Sequence, residues 1–133
     1  MDQGVVERLR RALADRRDVR LALLFGSVAR GADRPGSDVD VAVDAPRVDH
    51  LALARDLSLA LDREVSVVDL ADPGYPLLAA LVRDGVVIAE HAPSAAARWR
   101  TRAILSLETD RPWYERMRDA YLARLVQEAH GGG

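Results

Sequence analysis

The sequence predicts an α/β domain of the α+β kind: a small mixed sheet of about four strands with flanking helices and a C-terminal helical extension. Three observations carry this. Four short apolar runs alternate with segments of helical periodicity. The first two runs have no full helix between them, which argues against a doubly wound parallel sheet. Beyond the fourth run the rest of the chain reads as helix.

Taken in order, Val5, Leu9 and Leu13 recur every four residues among charges and predict an amphipathic helix over about 4–16. Val19–Phe25 is a nearly continuous apolar run closed by Gly26, too short for a globular helix, and predicts a buried strand. Residues 31–37, with two glycines and a proline, are loop chemistry. Asp38–Val43 alternates strictly, placing Val39, Val41 and Val43 on one face and Asp38 and Asp40 on the other, as in a half-buried strand.

Pro46 and the following Val48, Leu51, Leu53, Leu57 and Leu61 predict a second helix over about 48–62. Glu64–Leu70 predicts a third strand. Asp72-Pro73-Gly74 makes a turn, and Pro76 takes the first position of a helix running to about Arg83, stopped by Gly85. Val86–Ala89 predicts a fourth strand. Pro93-Ser94 then opens a helical region to about residue 128, broken at Pro112 because proline removes a helical hydrogen bond. Residues 129–133 predict a disordered tail.

A chain of 133 residues with 49% hydrophobic and 30% charged side chains buries a core of its own. Its formal charge of −2 gives no general attraction to nucleic acid or anionic membrane, so no direct nucleic-acid partner is expected. The absence of cysteine excludes disulfides, thiolate zinc sites and thiol nucleophiles. Every basic residue is arginine, so a Walker loop ending in Gly-Lys and a lysine Schiff base are excluded too. Met1–Arg20 is too charged for a signal peptide, and no apolar run has the length of a membrane span. These features place the chain in the cytoplasm.

The chemistry concentrates in Phe25–Asp40. Gly26 permits close backbone approach. Ser27 offers a hydroxyl and main-chain N–H groups at a short helix start, where phosphate is favoured. Asp38 and Asp40, two residues apart on a strand, point the same way, which is how Mg²⁺ is held together with substrate phosphates. The combination describes a metal and nucleoside-triphosphate site that needs no lysine. His50, His91 and His130 lack metal-ligand spacing and read as surface side chains. Ser27 is no hydrolase nucleophile, because Phe25 stands where the elbow needs glycine.

Ten residues separate Ser27 from Asp38, and Gly-Ser-x10-Asp-x-Asp, with Val28-Ala29-Arg30-Gly31 after the serine, resembles the minimal nucleotidyltransferases of the polymerase-beta-like superfamily. The resemblance implies a nucleotidyltransferase-like fold over residues 1–92, followed by a helical extension over 93–128. It also implies catalytic roles for Asp38, Asp40 and Ser27, Mg²⁺ on Asp38 and Asp40, and ATP held by Gly26, Ser27 and Arg30. Arg30 has a second reading, an ion pair that braces the Gly-Ser loop against an aspartate.

The chain departs from the family at one position. Members carry a third carboxylate on the later strand, where this sequence has Ser66, a weaker ligand and base. Glu64 on the same face, or Asp69 in a different register, are the candidate stand-ins.

Many minimal nucleotidyltransferases are antitoxins that transfer AMP to a tyrosine of an all-helical HEPN ribonuclease toxin. The resemblance therefore implies an AMP-transferring antitoxin with such a toxin as partner. The alternatives are a catalytically weak antitoxin that neutralises its partner by binding, and a small-molecule nucleotidyltransferase. Tyr114, Met117, Tyr121 and Leu125 form a helical seam near Trp99 and Trp113, which serves either as core or as partner interface.

Overall fold

In the computed structural model the described residues are 3–32 and 36–131. The elements run α1 (Gln3–Leu13), β1 (Leu21–Phe25), α2 (Gly26–Arg30), β2 (Val39–Asp44), α3 (His50–Leu61), β3 (Val65–Asp69), α4 (Tyr75–Asp84), β4 (Val86–Glu90) and α5 (Ala95–Gly131). The four strands form one mixed sheet in the order β3-β2-β1-β4. β1 is antiparallel to both β2 and β4, whereas β2 and β3, joined by α3, are parallel. The fold class expected from the sequence is the one observed. No described helix is long and apolar enough to cross a membrane.

Both faces of the sheet are covered. On one, Val5, Val6, Leu9 and Leu13 of α1 and Leu53, Leu57 and Leu61 of α3 pack on Ala22, Leu24, Val39, Val41 and Val43. On the other, Leu81 of α4 and Trp99 and Ala103 of α5 cover Leu21, Leu23 and Ala42. Strict alternation in β2 predicts one buried face, yet Ala42 is fully buried on the other as well. β2 reaches water at its two ends, at Asp40 with exposed Asp38 just before it, and at Asp44.

Several boundaries move for identifiable reasons. α1 stops at Leu13, because the next residues turn so that Val19 can be buried ahead of β1. The turn is braced by Arg16, which pairs with Asp18 at 3.2 Å and Asp56 at 3.3 Å. His91, expected at the surface, is half-buried with Nε2 2.9 Å from the Leu13 carbonyl, tying the end of α1 to the end of β4. The α3 start is capped by Asp49, whose side chain accepts from the Leu51 and Ala52 N–H groups. Leu51 is 80% exposed, since it lies two residues, about 200°, round the helix from buried Leu53.

The largest departure is α5. The expected break at Pro112 does not occur, and the helix continues to Gly131, so residues 129–131 are helical. Proline forfeits one hydrogen bond and crowds the carbonyl four residues back, but Glu108 is exposed, so water can satisfy the freed oxygen. Gly132 and Gly133, and Asp33–Pro35 of the expected loop, lie outside the described residues.

The core also runs across the expected boundary at 92/93, because Trp99, Ala103 and Leu107 are buried. The two tryptophans are therefore unequal: Trp99 is 9% exposed and Trp113 59%. Trp99→Ala should cost about 3–5 kcal/mol in urea unfolding, the usual cost of emptying a large aromatic site. Trp113→Ala should stay within about 0.5 kcal/mol, as surface substitutions do.

Candidate functional site

β1 ends at Phe25 and the chain enters Gly26 at φ 77°, a left-handed conformation that favours glycine. α2 makes little more than one turn before Gly31, also left-handed at φ 71°, returns its N–H to the Val28 carbonyl at 3.2 Å. The Ala32 N–H closes on the Ser27 carbonyl at 2.9 Å. Val28, fully buried in the core, anchors this tight turn and leaves Ser27 half-buried and Arg30 exposed beside it.

The antiparallel register sets Phe25 opposite Asp40, so Gly26 follows against the Asp40 carboxylate. A Cβ on Gly26 would overlap Asp40 Oδ2. Glycine is thus required twice over, by the backbone angle and by space. Asp38 and Asp40 share the face their spacing predicts, Asp38 exposed and Asp40 half-buried.

Across the parallel pair, Asp40 is in register with Ser66. Paired residues of neighbouring strands present side chains to the same face, so Ser66 stands beside Asp40, exposed. The two candidate stand-ins do not complete a triad. Asp69 pairs with Val43 toward the other end of β3, and its carboxylate accepts from the Ala71 N–H at 2.8 Å. Among the described residues no group of three carboxylates or imidazoles gathers to hold a metal, so Glu64 does not join Asp38 and Asp40.

A residue without sequence signal orders the entry to β2. Arg63 reaches back from the α3–β3 turn and donates from Nη2 to the Ser37 carbonyl at 2.7 Å. The Val39 N–H bonds the Glu64 carbonyl at 2.9 Å. Together these hold Asp38 between two fixed points of backbone. Nothing in the spacing of residues 37 and 63 announces that contact.

Burial holds the Asp40 carboxyl above the usual aspartate range, and the neighbouring Asp38 charge pushes it further, while Arg30 pulls it back. Of the two readings of Arg30, bracing against an aspartate therefore has an electrostatic counterpart. A cleft of about 550 Å³ lies at the opposite end of the strands, lined by Arg20, Asp44, Leu70, Arg98 and Trp99. The motif residues instead converge at the Phe25 end, where Asp38 and Arg30 are exposed, and the chemistry of those donors makes that end the candidate site.

A folded-state pKa raised above the unfolded one makes ionisation of Asp40 oppose folding. That cost is absent at low pH, grows as pH rises through the ordinary aspartate value of 3.8, and is complete above the raised folded value. Asp40→Asn should raise the melting temperature at pH 7 by about 1–3 °C, a screened surface-sized effect, and the gain should shrink toward zero on acidification. Melting curves of both proteins between pH 3.5 and 7 check this.

Comparison with known proteins agrees with this geometry. The protein adenylyltransferase MntA of Shewanella oneidensis is 38% identical over 71 residues, which are 50% of this chain and 51% of that protein. The matched stretch thus spans about half the relative's length. Among solved structures, a toxin–antitoxin complex with AMP-PNP superposes with a TM-score of 0.72 at 24% identity, covering 92% of this chain and 99% of that one. A tri-AMPylated Shewanella oneidensis HEPN toxin in complex with its MNT antitoxin gives a TM-score of 0.70 at 24% identity over 92% and 99% of the two chains. At that identity both likenesses establish the fold. Residues 7–94, which contain the glycine turn, both aspartates and Ser66, match Polymerase beta, Nucleotidyltransferase, and the chain belongs to that family.

Proposed function

We propose that the protein is a Mg²⁺-dependent nucleotidyltransferase that moves AMP from ATP to a tyrosine hydroxyl of a cognate all-helical HEPN toxin, and so acts as an antitoxin. The observation that carries this is the side-chain-free turn at Gly26 lying against Asp40, with Asp38 alongside at an open end of the sheet. Family membership supports nucleotidyl transfer. The adenylyltransferase name of the Shewanella relative and the AMPylated toxin of the similar complex support AMP and a protein acceptor. The AMP-PNP complex supports ATP as donor. We place the protein in the cytoplasm, which supplies ATP.

The donor set suits Mg²⁺: two carboxylates and, among the described residues, no thiol and no gathered imidazole, which is chemistry for a hard cation shared with phosphate oxygens. Bound with the triphosphate, Mg²⁺ supplies neutralisation of the charge on the phosphate oxygens. Asp38 and Asp40 are its protein ligands. Gly26 lets the triphosphate approach the backbone, and the Ser27 hydroxyl with its neighbouring N–H groups holds the phosphate tail. Arg30 partly offsets the effect of burial and of Asp38 on the Asp40 carboxyl, and its exposed guanidinium is placed to meet a phosphate. The acceptor oxygen bonds to the α-phosphorus as the bond to the bridging oxygen of the β-phosphate breaks. Pyrophosphate leaves and the hydroxyl proton passes to water. An open site suits an acceptor carried on another protein.

α5 supplies the contact surface. Its first turns belong to the core, but Trp113, Met117, Tyr121, Leu122 and Val126 are exposed along the distal half. Tyr114, from the same seam, turns inward and stacks on Tyr75 of α4 with centroids 4.4 Å apart. The docking face is thus Trp113, Met117 and Tyr121, without Tyr114. A second reading, neutralisation by binding alone, is favoured by one observation, the neutral Ser66 beside Asp40.

Incubation with α-labelled ATP, Mg²⁺ and the partner should label the partner, and Asp38→Ala with Asp40→Ala should reduce labelling at least about 100-fold, as removal of essential charge at a reacting phosphate does. A tight complex without label would overturn the transfer reading in favour of occlusion. Met117→Glu with Tyr121→Glu should weaken the complex at least about tenfold by calorimetry while leaving ATP affinity unchanged.

A further inference from the structure

The cleft of about 550 Å³ at the Leu21 end of the sheet has no part in the nucleotide chemistry. It lies between α5 and the turn that leads from β3 into α4, and Leu70, Leu78 and Trp99 give it an apolar lining. Arg20, Arg98, Arg102, Asp44, Asp72 and Asp110 line it as well. Among the described residues none of these six charged side chains is in an ion pair.

The fold keeps the two signs apart. Arg98 and Arg102 stand one turn apart on α5, and Asp110 follows about 12 Å farther along the same helix. The Arg20 carbonyl accepts from the His91 and Ala92 N–H groups, which brings Arg20 to the start of α5, whereas Asp72 follows β3, two strands away from β1. Asp44, half-buried, is the one carboxylate in register with that end of β1. Three exposed guanidiniums against one carboxylate leave the start of the cleft basic, and unpaired guanidiniums are suited to bidentate capture of carboxylates.

The lining of the cleft continues along α5 beyond it. Arg98, Arg102, Ser106, Asp110, Trp113 and Met117 follow one another at three or four residues, the spacing of neighbours on one side of a helix. The first four line the cleft, and the last two are exposed past its end. Helix rise sets Met117 about 22 Å from Arg102. Between them Tyr114, stacked on Tyr75, holds α5 to the start of α4, so both halves of the strip are fixed to one body.

We infer that the cleft receives an acidic segment of the protein partner, so that one strip of α5 engages that partner twice: its carboxylates at Arg98 and Arg102, with Arg20 beside them, and its apolar side chains at Trp113 and Met117. This rests on the partner reading above and extends it to a charged half that the apolar docking face leaves out. Charge complementarity selects the occupant.

The test is calorimetry of the full chain with its partner at about 50 and about 300 mM NaCl, salts on either side of physiological screening. Arg98→Glu with Arg102→Glu should weaken the complex at least about tenfold at the lower salt and distinctly less at the higher, because salt screens exposed charges. Arg98→Gln with Arg102→Gln serves if the reversed variant unfolds. The loss with Trp113→Ala and Met117→Ala should be the same at both salts. AMP-PNP affinity should not change in either arginine variant, since the cleft and the nucleotide site lie at opposite ends of the strands. If the arginine variants bind the partner as tightly as wild type or more tightly, or lose the same affinity at both salts, the acidic-segment site is overturned. Weakening by Trp113→Ala with Met117→Ala would in that case leave the apolar docking face standing. If neither pair of substitutions weakens the complex, or wild type forms none, docking on α5 falls together with the cleft.

Discussion

The antiparallel pairing of β1 with β2 is the constraint on which the rest depends. It sets Phe25 opposite Asp40 and thereby brings the first residue after β1 against a carboxylate. Only glycine fits there, because a Cβ would overlap Asp40 Oδ2 and the backbone angle is left-handed. A slip of one residue would send Val39, Val41 and Val43 to the wrong face and carry both aspartates into the core, so the apolar pattern that builds the fold also fixes the site. Folding and chemistry are specified here by the same register.

Covering both faces of a four-stranded sheet protects its middle but cannot protect its ends. α1 and α3 close one face, α4 and the start of α5 the other. The Phe25 end is left open, and there the chain places a carboxylate whose burial and like-charged neighbour oppose its ionisation. Such tension is ordinary at functional sites, where charges are held close to one another and a bound ligand compensates them, and it agrees with the site proposed above. The cleft at the opposite end carries arginines and aspartates together and offers no comparable convergence of motif residues.

α5 divides its work along its length. Trp99 and Ala103 complete the second core and Leu107 is buried one turn further on, while the exposed apolar side chains beyond Pro112 project from the distal half of the helix. Tyr114 is the junction, stacking on Tyr75 and so fixing the direction in which the distal half leaves the body. A helix held firmly at its base and apolar at its outer end presents a pre-ordered surface, which would limit the entropy lost in the docking proposed above.

Sequence by itself determined the elements and the face each presents. Periodicity of two in β2 put Asp38 and Asp40 together, periodicity near 3.6 in α1 and α3 identified their buried residues, and Gly26-Ser27 with the two aspartates marked the site. These are local properties, set by backbone geometry over a few residues. Tertiary structure alone decided which element lies across from which. It put Ser66 beside Asp40 and removed Asp69, tied Arg63 to Ser37 across 26 positions, buried Ala42 beneath a second layer, and turned Tyr114 inward while its neighbours stayed exposed. It also carried α5 unbroken through Pro112. The reason is physical: alternation fixes the side of a strand on which a residue stands, but the neighbour it meets there depends on strand order and register, which arise from packing the whole sheet.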